Sequence, residues 1–137
     1  MADKVVKVYD RNHNYLTEIY DYGNDLKYGW TLNDIDTMEV SIPLSSPKCT
    51  TEYMQFANHI EIIDNGLVTW GGIIFSQSFS DSVLKITCMD YNSILEYLLC
   101  IGKQYSSMEY GALIQQMIID SVTYWGSEAQ KKLDYNN

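Results

Sequence analysis

The side chains best suited to catalysis in this sequence are two histidines and three cysteines: His13, His59, Cys49, Cys88 and Cys100. A nucleophile–base pair of Cys49 and His59 is conceivable, but such a pair is defined by distance in space and no flanking motif marks it. The two histidines lack the i, i+4 helical spacing of a metalloprotease. The odd number of cysteines, with no C-x-x-C spacing, favours reduced and mostly buried thiols over a disulfide framework.

Acidic side chains offer weaker candidates for chemistry. Asp34 and Asp36 form a D-x-D motif, but the downstream glycine and glutamate of a calcium loop are missing, so a turn rich in Asx residues is the better interpretation. Carboxylate pairs for glycoside hydrolysis can be drawn from Glu39, Glu52 and Glu61, as in any acidic β-protein. No phosphate-binding or nucleophile-elbow motif occurs. We therefore expect no enzyme, with no catalytic residues, no cofactor and no metal site.

Aromatic side chains are the main chemistry available for recognition, since the chain contains three tryptophans and twelve tyrosines. Trp30, Trp70 and Trp125 are candidate contacts for a ligand or a partner, because aromatic rings stack on sugars and anchor protein interfaces. For Trp30 and Trp70 we favour the alternative, which is a strand side chain half-buried in a sheet.

Length, charge and hydropathy restrict the class of protein. A chain of 137 residues with 46% hydrophobic content predicts a single globular domain over 1–137. A net charge of −9 argues against specific nucleic-acid binding, which concentrates lysine and arginine. No apolar run reaches the length of a membrane span, and the N-terminus lacks a signal-peptide pattern, so we expect synthesis in the cytoplasm.

The most regular pattern lies in residues 59–89, where three apolar runs are separated by Asp64-Asn65-Gly66 and Ser80-Asp81-Ser82. An Asn-Gly pair suits a tight hairpin, so this stretch predicts a three-stranded antiparallel meander. Gly71 and Gly72, inside the second run, predict a bulge or a close approach of two backbones.

Alternating or β-branched segments predict further strands before the meander, at Lys4–Tyr9, Tyr15–Tyr20, Leu26–Leu32 and Thr37–Leu44. A short helix is predicted near 50–58, with Thr50 or Thr51 as its N-cap, and two C-terminal helices near 91–100 and 108–124. The fold class is therefore α+β and mainly antiparallel β. The predicted core consists of the inward strand faces and the apolar helix faces: Val6, Val8, Leu16, Val40, Ile42, Ile60, Ile62, Ile74, Leu84, Ile86, Ile94, Leu98 and Ile114.

Five motifs follow one another in an order that is itself informative: V-x-V-Y-D-R-N from Val6, W-T-L-N-D-I-D-T-M-E-V-S-I-P from Trp30, H-I-E-I-I-D from His59, W-G-G-I-I from Trp70 and L-K-I-T-C-x-D-Y from Leu84. By order and spacing, about residues 4–100 resemble the N-terminal region of tail-hub proteins of long-tailed bacteriophages. These are baseplate hub, minor tail or tail-associated lysin-like proteins. Members of that family usually run to several hundred residues, so 101–137 would be a helical extension or the start of a truncated following domain.

The resemblance implies a β-barrel or sandwich and a structural role at the tip of a phage or prophage tail. Hub proteins of this kind are trimers that cap the tail tube, and the genome passes through their lumen. The implied partners are other tail proteins, of the tail-tube, distal-tail and tape-measure types, and the implied location is the virion. A carbohydrate- or receptor-binding module of the tail tip is the alternative function.

Overall fold

The computed structural model describes residues 4–22, 25–97 and 102–135. The chain divides into two compact units, Met1–Ser93 and Ile94–Asn137. The boundary predicted near residue 100 between a β-domain and a helical extension remains a prediction.

The first unit is built on one antiparallel sheet of seven strands. They are β1 (Val5–Tyr9), β2 (Tyr15–Ile19), β3 (Lys27–Tyr28), β4 (Thr37–Pro43), β5 (His59–Asp64), β6 (Leu67–Ser80) and β7 (Val83–Asp90). Their order across the sheet is β2-β1-β5-β6-β7-β4-β3. The predicted α+β class with a mainly antiparallel sheet is confirmed, and the sheet is open rather than closed into a barrel.

The predicted meander is confirmed, because β5, β6 and β7 are neighbours in the sheet. Asp64 pairs with Leu67, and the two residues between them, Asn65 and Gly66, have φ angles of 50° and 80°. That geometry is the tight hairpin turn expected of an Asn-Gly pair. The second turn is shorter than predicted, since Ser80 still pairs with Val83.

The sheet curls so that Lys4, just before β1, comes into contact with Tyr28 of the edge strand β3. The long β6 strand pairs with β5 through its first half and with β7 through its second half. Near the opposite edges, Lys4 Nζ lies 5.0 Å from the centre of the Tyr28 ring, and the Tyr22 hydroxyl donates to the Lys4 carbonyl at 2.6 Å. Register shifts at Leu16, Thr69 and Phe75 interrupt the ladders, and such bulges bend a strand.

One hydrophobic cluster fills the inside of the curled sheet. Nine of its members are confirmed core predictions: Val6, Val8, Val40, Ile42, Ile60, Ile62, Ile74, Leu84 and Ile86. Five more are not among the predicted core residues: Ile19, Met38, Met54, Trp70 and Cys88. The prediction for Leu16 is wrong, because Thr17 and Ile19 form the buried face of β2 and Leu16 only packs against the edge of the cluster. Burial of Thr17 is tolerated because Lys48 Nζ donates a hydrogen bond to its hydroxyl at 2.6 Å.

Two predicted elements are shorter in the structure. The third strand comprises Lys27–Tyr28 instead of Leu26–Leu32, because the chain after Gly29 forms a loop. Helix α1 covers Thr51–Met54 and is capped by Thr50, whose hydroxyl accepts from the Tyr53 amide. It ends well before residue 58 because Gln55 is extended and Ala57 adopts a φ of 67°.

The C-terminal helices also differ from the prediction. Helix α2 covers Asn92–Tyr97, and Leu98 lies outside the described residues. Helix α3 runs over Tyr110–Tyr135, beyond the predicted end at residue 124. Ile94 and Ile114 are 42% and 56% exposed, so their assignment to the core is wrong. On α3 the face carrying Ser121 is the buried one. None of the helices in the described ranges is both long and apolar enough to cross a membrane.

Candidate functional site

Trp30 is the one predicted contact residue that the described side chains place at the surface. It is 69% exposed, and its neighbour Leu32 is 90% exposed. The Trp30 ring stands edge-on to Tyr28, with centroids 5.8 Å apart and planes at 89°. Both apolar side chains lie in the loop 29–36, which joins β3 to β4 at the edge of the sheet.

The loop 29–36 is held in one shape by hydrogen bonds. Asp36 accepts from the Thr31 hydroxyl at 2.8 Å and also from the Thr31 amide, while its own carbonyl accepts from the Asp90 amide at 2.9 Å. Asn33 adopts a φ of 61°, which asparagine tolerates better than most residues. An apolar side chain displayed on an ordered loop loses little further entropy on binding, so Trp30 and Leu32 form a candidate interface anchor.

The carboxylates of the D-x-D motif accept hydrogen bonds within this loop. Asp36 fastens Thr31, and Asp34 accepts from the Ile35 amide at 2.8 Å. Across the described parts of the chain, no group of three or more histidine, cysteine, aspartate or glutamate side chains is placed to hold a metal ion.

The two other tryptophans do not join Trp30 in a platform. Trp70 is 3% exposed and belongs to the core, and its indole Nε1 has no hydrogen-bond partner among the described residues. Trp125 lies in α3, and its side chain is outside the described part of the structure. Of the three predicted contact residues, Trp30 is therefore the one whose side chain is described and exposed.

A second group of polar side chains, which we call the histidine–tyrosine cluster, comprises Tyr9, His13, His59, Glu61 and Tyr91. His13 stacks on Tyr9 with centroids 4.6 Å apart, and His59 meets His13 edge-on at 4.9 Å. His13 Nε2 lies 3.5 Å from Glu61 Oε1, and His59 Nδ1 lies 3.1 Å from the Tyr91 hydroxyl. The structure thus brings both histidines together beside one carboxylate.

Backbone pairing explains how the cluster assembles. Tyr9 is the register partner of His59, and Glu61 is the partner of Gly71 on the next strand. A Cβ on Gly71 would lie 2.9 Å from the Tyr91 ring, so the missing side chain makes room for that ring. The alternation of β1, which can be predicted from the sequence, places Tyr9 on the face opposite Val8. The pairing of β1 with β5 joins distant segments, so no local sequence signal predicts it.

Burial and charge shift the protonation equilibria within the cluster. Burial, followed by the charge of His13, lowers the pKa of His59 below its usual 6.5. Burial raises the pKa of Tyr91 to about 12, and burial together with a hydrogen bond to Glu61 raises that of Tyr9 to about 12. Near neutral pH the Tyr91 hydroxyl is therefore protonated and able to donate to a neutral His59 Nδ1.

The Cys49–His59 pair considered from the sequence receives no support from the geometry. His59 contacts His13 and Tyr91, whereas Cys49 packs against the edge of the hydrophobic cluster. Burial, and then the charge of Asp21, raises the pKa of the Cys49 thiol, which keeps it in its weakly nucleophilic protonated form. Burial also raises the pKa of Cys88, and Cys100 lies outside the described residues.

The three glutamates considered for hydrolysis are engaged separately. Glu39 pairs with Lys85 at 3.0 Å, Glu61 faces His13, and Glu52 lies exposed in α1. A pocket of about 150 Å³ beside Glu39 and Lys85 is polar and open. It is smaller than the roughly 300–1,000 Å³ typical of small-molecule sites.

Comparison with known proteins gives a likeness in fold. No protein-family profile and no curated protein matches the sequence. A tail protein from Neisseria meningitidis MC58 matches in structure with a TM-score of 0.50 and 17% identity. The match covers 77% of this chain and 30% of that protein. About three quarters of this chain therefore shares its fold with part of that tail protein.

The tail-protein fold therefore agrees with the sequence resemblance at the level of architecture. The chain spans about 30% of the length of the matching protein, so the likeness concerns one part of a larger molecule.

Proposed function

We propose that this chain is a structural component of a phage or prophage tail tip, a baseplate hub or adaptor that caps the tail tube. It would join the tube to distal receptor-binding or lytic components. The observation that carries the proposal is the structural match to a tail protein, and the order of sequence motifs agrees with it.

The distribution of side chains in the first unit suits a scaffold without enzymatic activity. Glu39, Glu61, both histidines and Cys49 take part in ion pairs, ring contacts and packing. Several large apolar side chains, by contrast, are exposed. We propose that Trp30 and Leu32 contact another tail protein. The loop 29–36 contains Asp34 and Asp36 and no lysine or arginine, so a partner with an apolar pocket and a basic rim would complement it.

A trimeric assembly and passage of DNA through its lumen are part of the same proposal. They follow from the hub resemblance, and the charge of the chain is compatible with them. A net charge of −9 repels the DNA phosphates, so a genome would slide past such a surface without adhering.

The sugar- or receptor-binding alternative has weaker support. Stacking on a sugar needs exposed rings that share a surface, but Trp70 is buried and Tyr28 stands perpendicular to Trp30. Among the described tryptophans the alternative therefore depends on Trp30 alone, together with exposed tyrosines such as Tyr15 and Tyr20.

The proposal is tested on virions of the phage or prophage that carries the gene. Mass spectrometry of purified particles should detect the chain, and immunogold labelling should place it at the tail tip. Deletion of the gene should give particles with missing or malformed tips. A protein absent from purified virions, or tails that assemble normally without it, would overturn the proposal.

The contact surface has its own test in the same virus. A Trp30→Ala, Leu32→Ala double variant should fold as the parent does but enter virions poorly. The control is Phe79→Ala, which removes an exposed aromatic ring elsewhere on the sheet. If the double variant enters virions normally while adsorption to host cells fails, the receptor-binding alternative is the correct one.

A further inference from the structure

We propose that His13 and His59 form a proton-operated latch, which holds the turn Asp10–Asn14 against the outer face of the sheet near neutral pH and releases it in acid. This inference rests on the geometry of the histidine–tyrosine cluster and does not depend on the proposed role in a tail.

The turn Asp10–Asn14 is shaped by its own hydrogen bonds. The Asp10 carboxylate accepts from the Asn12 and Asn14 amides, each at 2.8 Å, and the His13 amide donates to the Asp10 carbonyl at 2.9 Å. His13 adopts a φ of 64°, which turns the chain back over the strand from which it came. The ring of His13 is thereby laid flat on Tyr9.

Four contacts attach this turn to the rest of the sheet, and one of them is a hydrogen bond between His59 and the backbone of Arg11. His13 meets the edge of His59 on β5, and His13 Nε2 lies 3.5 Å from Glu61 Oε1 on the same strand. Arg11 Nη2 donates to the Phe56 carbonyl at 3.2 Å, between α1 and β5. Three of the four contacts involve the ring of His13 or of His59, so the histidine pair contributes most of the attachment of the turn.

Protonation of both rings opposes closure at the His13–His59 contact, whereas a charged His13 is attracted to Glu61, so the release must come from His59. Two imidazolium ions with centroids 4.9 Å apart repel each other, and His59 must also lose part of its hydration to sit between the turn and Tyr91. Opening the turn removes the His13 ring from His59 and returns solvent to it. A proton on His59 is therefore better accommodated in the open state.

Several other charged and titratable groups surround His59. Asp10 and Glu61 favour its protonated form, as does its hydrogen bond with the backbone of Arg11, whereas burial and His13 disfavour that form and prevail. Tyr91 on the far side stays neutral because burial raises its pKa to about 12, and Tyr9 stays neutral for the same reason.

The sign of the pH dependence follows from the lowered pKa of His59. A group with a lower pKa in the closed state stabilises that state fully above its usual pKa, here 6.5. The stabilisation declines as the pH falls through 6.5 toward the lower pKa of the closed state. The population with an open turn should therefore grow between pH 7.5 and pH 5.

The sequence contains a single arginine, Arg11, which lies in the turn and makes opening directly measurable. An arginine-specific protease cuts the native chain at that position alone, and cleavage of a transiently open site reports the open population. Rates measured from pH 8 to pH 5.5 are divided by those of a synthetic peptide of residues 7–16, which removes the pH dependence of the protease. We expect the normalised rate to rise several-fold toward the acid end.

Variants separate the latch from general loosening. His59→Gln should make the normalised rate independent of pH, and His13→Gln should reduce the rise. Glu39→Gln, which changes a carboxylate outside the cluster, should keep the parental profile. A lysine-specific protease provides the control for global unfolding, since cleavage after Lys85 in β7 should stay slow throughout. A parental rate that does not change with pH, a full rise in His59→Gln, or a parallel rise after Lys85 would each overturn the proposal.

A second measurement uses the parent protein alone, so it does not depend on the folding of any variant. The chain contains only two histidines, so proton NMR shows two imidazole Hε1 resonances, and nuclear Overhauser contacts to Tyr91 identify His59. We expect His59 to titrate below 6.5. A His59 that titrates at or above that value would remove the basis of the latch.

Discussion

A Cβ atom on Gly72 would lie 2.1 Å from the carbonyl oxygen of Met89, in the strand that pairs with it. It would also lie 2.6 Å from the six-membered ring of Trp70, which occupies the core beside this contact. The absence of a side chain at Gly72 therefore allows β6 and β7 to meet while Trp70 stays buried. The expectation of a close backbone approach at the Gly71-Gly72 pair is confirmed here.

Gly72→Ala should accordingly be strongly destabilising. A backbone carbonyl cannot move aside as a flexible side chain does, so we expect the cost in unfolding free energy to reach about 3 kcal/mol. Urea denaturation followed by circular dichroism measures it. Gly29→Ala is the matched control, because a Cβ there meets no described atom within 4 Å. Equal stability of the two variants would show that β6 and β7 are paired differently.

Ile86→Asp tests the register of the meander. Ile86 is fully buried in the hydrophobic cluster and pairs with Val40, so the variant would bury a carboxylate without a partner. We expect a loss of about 4 kcal/mol or more, enough to unfold a marginally stable domain. Ser78→Asp is the control, since Ser78 is exposed and faces Lys85 across the strands. If Ile86→Asp melts with the parent, the register is wrong.

The contrast between Trp30 and Trp70 illustrates how far the sequence determines the fold and the site. Alternation and turn residues are local signals, and they predicted the strand positions and most of the buried face. The two tryptophans sit in similar strand-like surroundings, so their opposite burial depends on contacts distant in sequence. Trp70 is buried because Gly72, which has no side chain, leaves room for its ring beside β7. Trp30 is exposed because it lies in the loop that Asp36 stabilises outside the sheet.

The wrong prediction for β2 and the missing prediction of the histidine–tyrosine cluster have the same physical origin. The sequence of β2 is compatible with either Leu16 or Thr17 on the buried face. The bulge at Leu16 and the hydrogen bond from Lys48 to Thr17 place Thr17 there. The two histidines are 46 positions apart in sequence and meet only because β1 pairs with β5. Pattern reasoning within one segment cannot supply either piece of information.

Asp120→Asn should loosen the segment 102–109 that precedes α3. Asp120 accepts from Lys103 Nζ and the Tyr105 hydroxyl, each at 2.8 Å, and from Gln116 at 2.9 Å. These bonds, that from Lys103 first, lower the pKa of Asp120 below 3.8. Their stabilisation is therefore complete near neutral pH and is lost as the pH falls below that value.

Hydrogen–deuterium exchange of peptides from residues 102–109 measures this loosening at neutral pH. Exchange should be faster in Asp120→Asn than in the parent and unchanged in Glu109→Gln, whose carboxylate is exposed nearby. Unchanged exchange in Asp120→Asn would mean that the three bonds do not hold the segment.

Chelation should leave the stability of the protein unchanged. The carboxylates of Asp34 and Asp36 already accept hydrogen bonds from the loop that contains them, which leaves them poorly arranged for calcium. Thermal melting with and without EDTA, with added calcium as the reverse experiment, tests this expectation. A shift of several degrees in either direction would reveal a metal site.

In the absence of the tail protein proposed to bind it, the exposed loop 29–36 should mediate self-association. Trp30 and Leu32 are held out toward solvent, and burying them in an oligomer would remove apolar surface from water. Sedimentation velocity across a concentration series should show association of the parent and weaker association of Trp30→Ser. Tyr20→Ser is the control, since Tyr20 is also an exposed aromatic residue. A parent that stays monomeric at every concentration would contradict self-assembly in the absence of tail partners.

Duplex DNA should not bind this protein near physiological salt. Binding without sequence preference is driven by the release of counterions when lysine and arginine neutralise phosphates. The chain has nine basic residues against eighteen acidic ones, and Lys4, Lys7, Lys85 and Lys103 already face carboxylates. Mobility-shift titrations at low and moderate salt test the expectation, with Glu61→Lys and Asp34→Lys together as a charge-reversed comparison. A complex of the parent with DNA whose affinity falls steeply with salt would reveal a basic surface. The proposal that DNA slides past this protein without adhering would then be wrong.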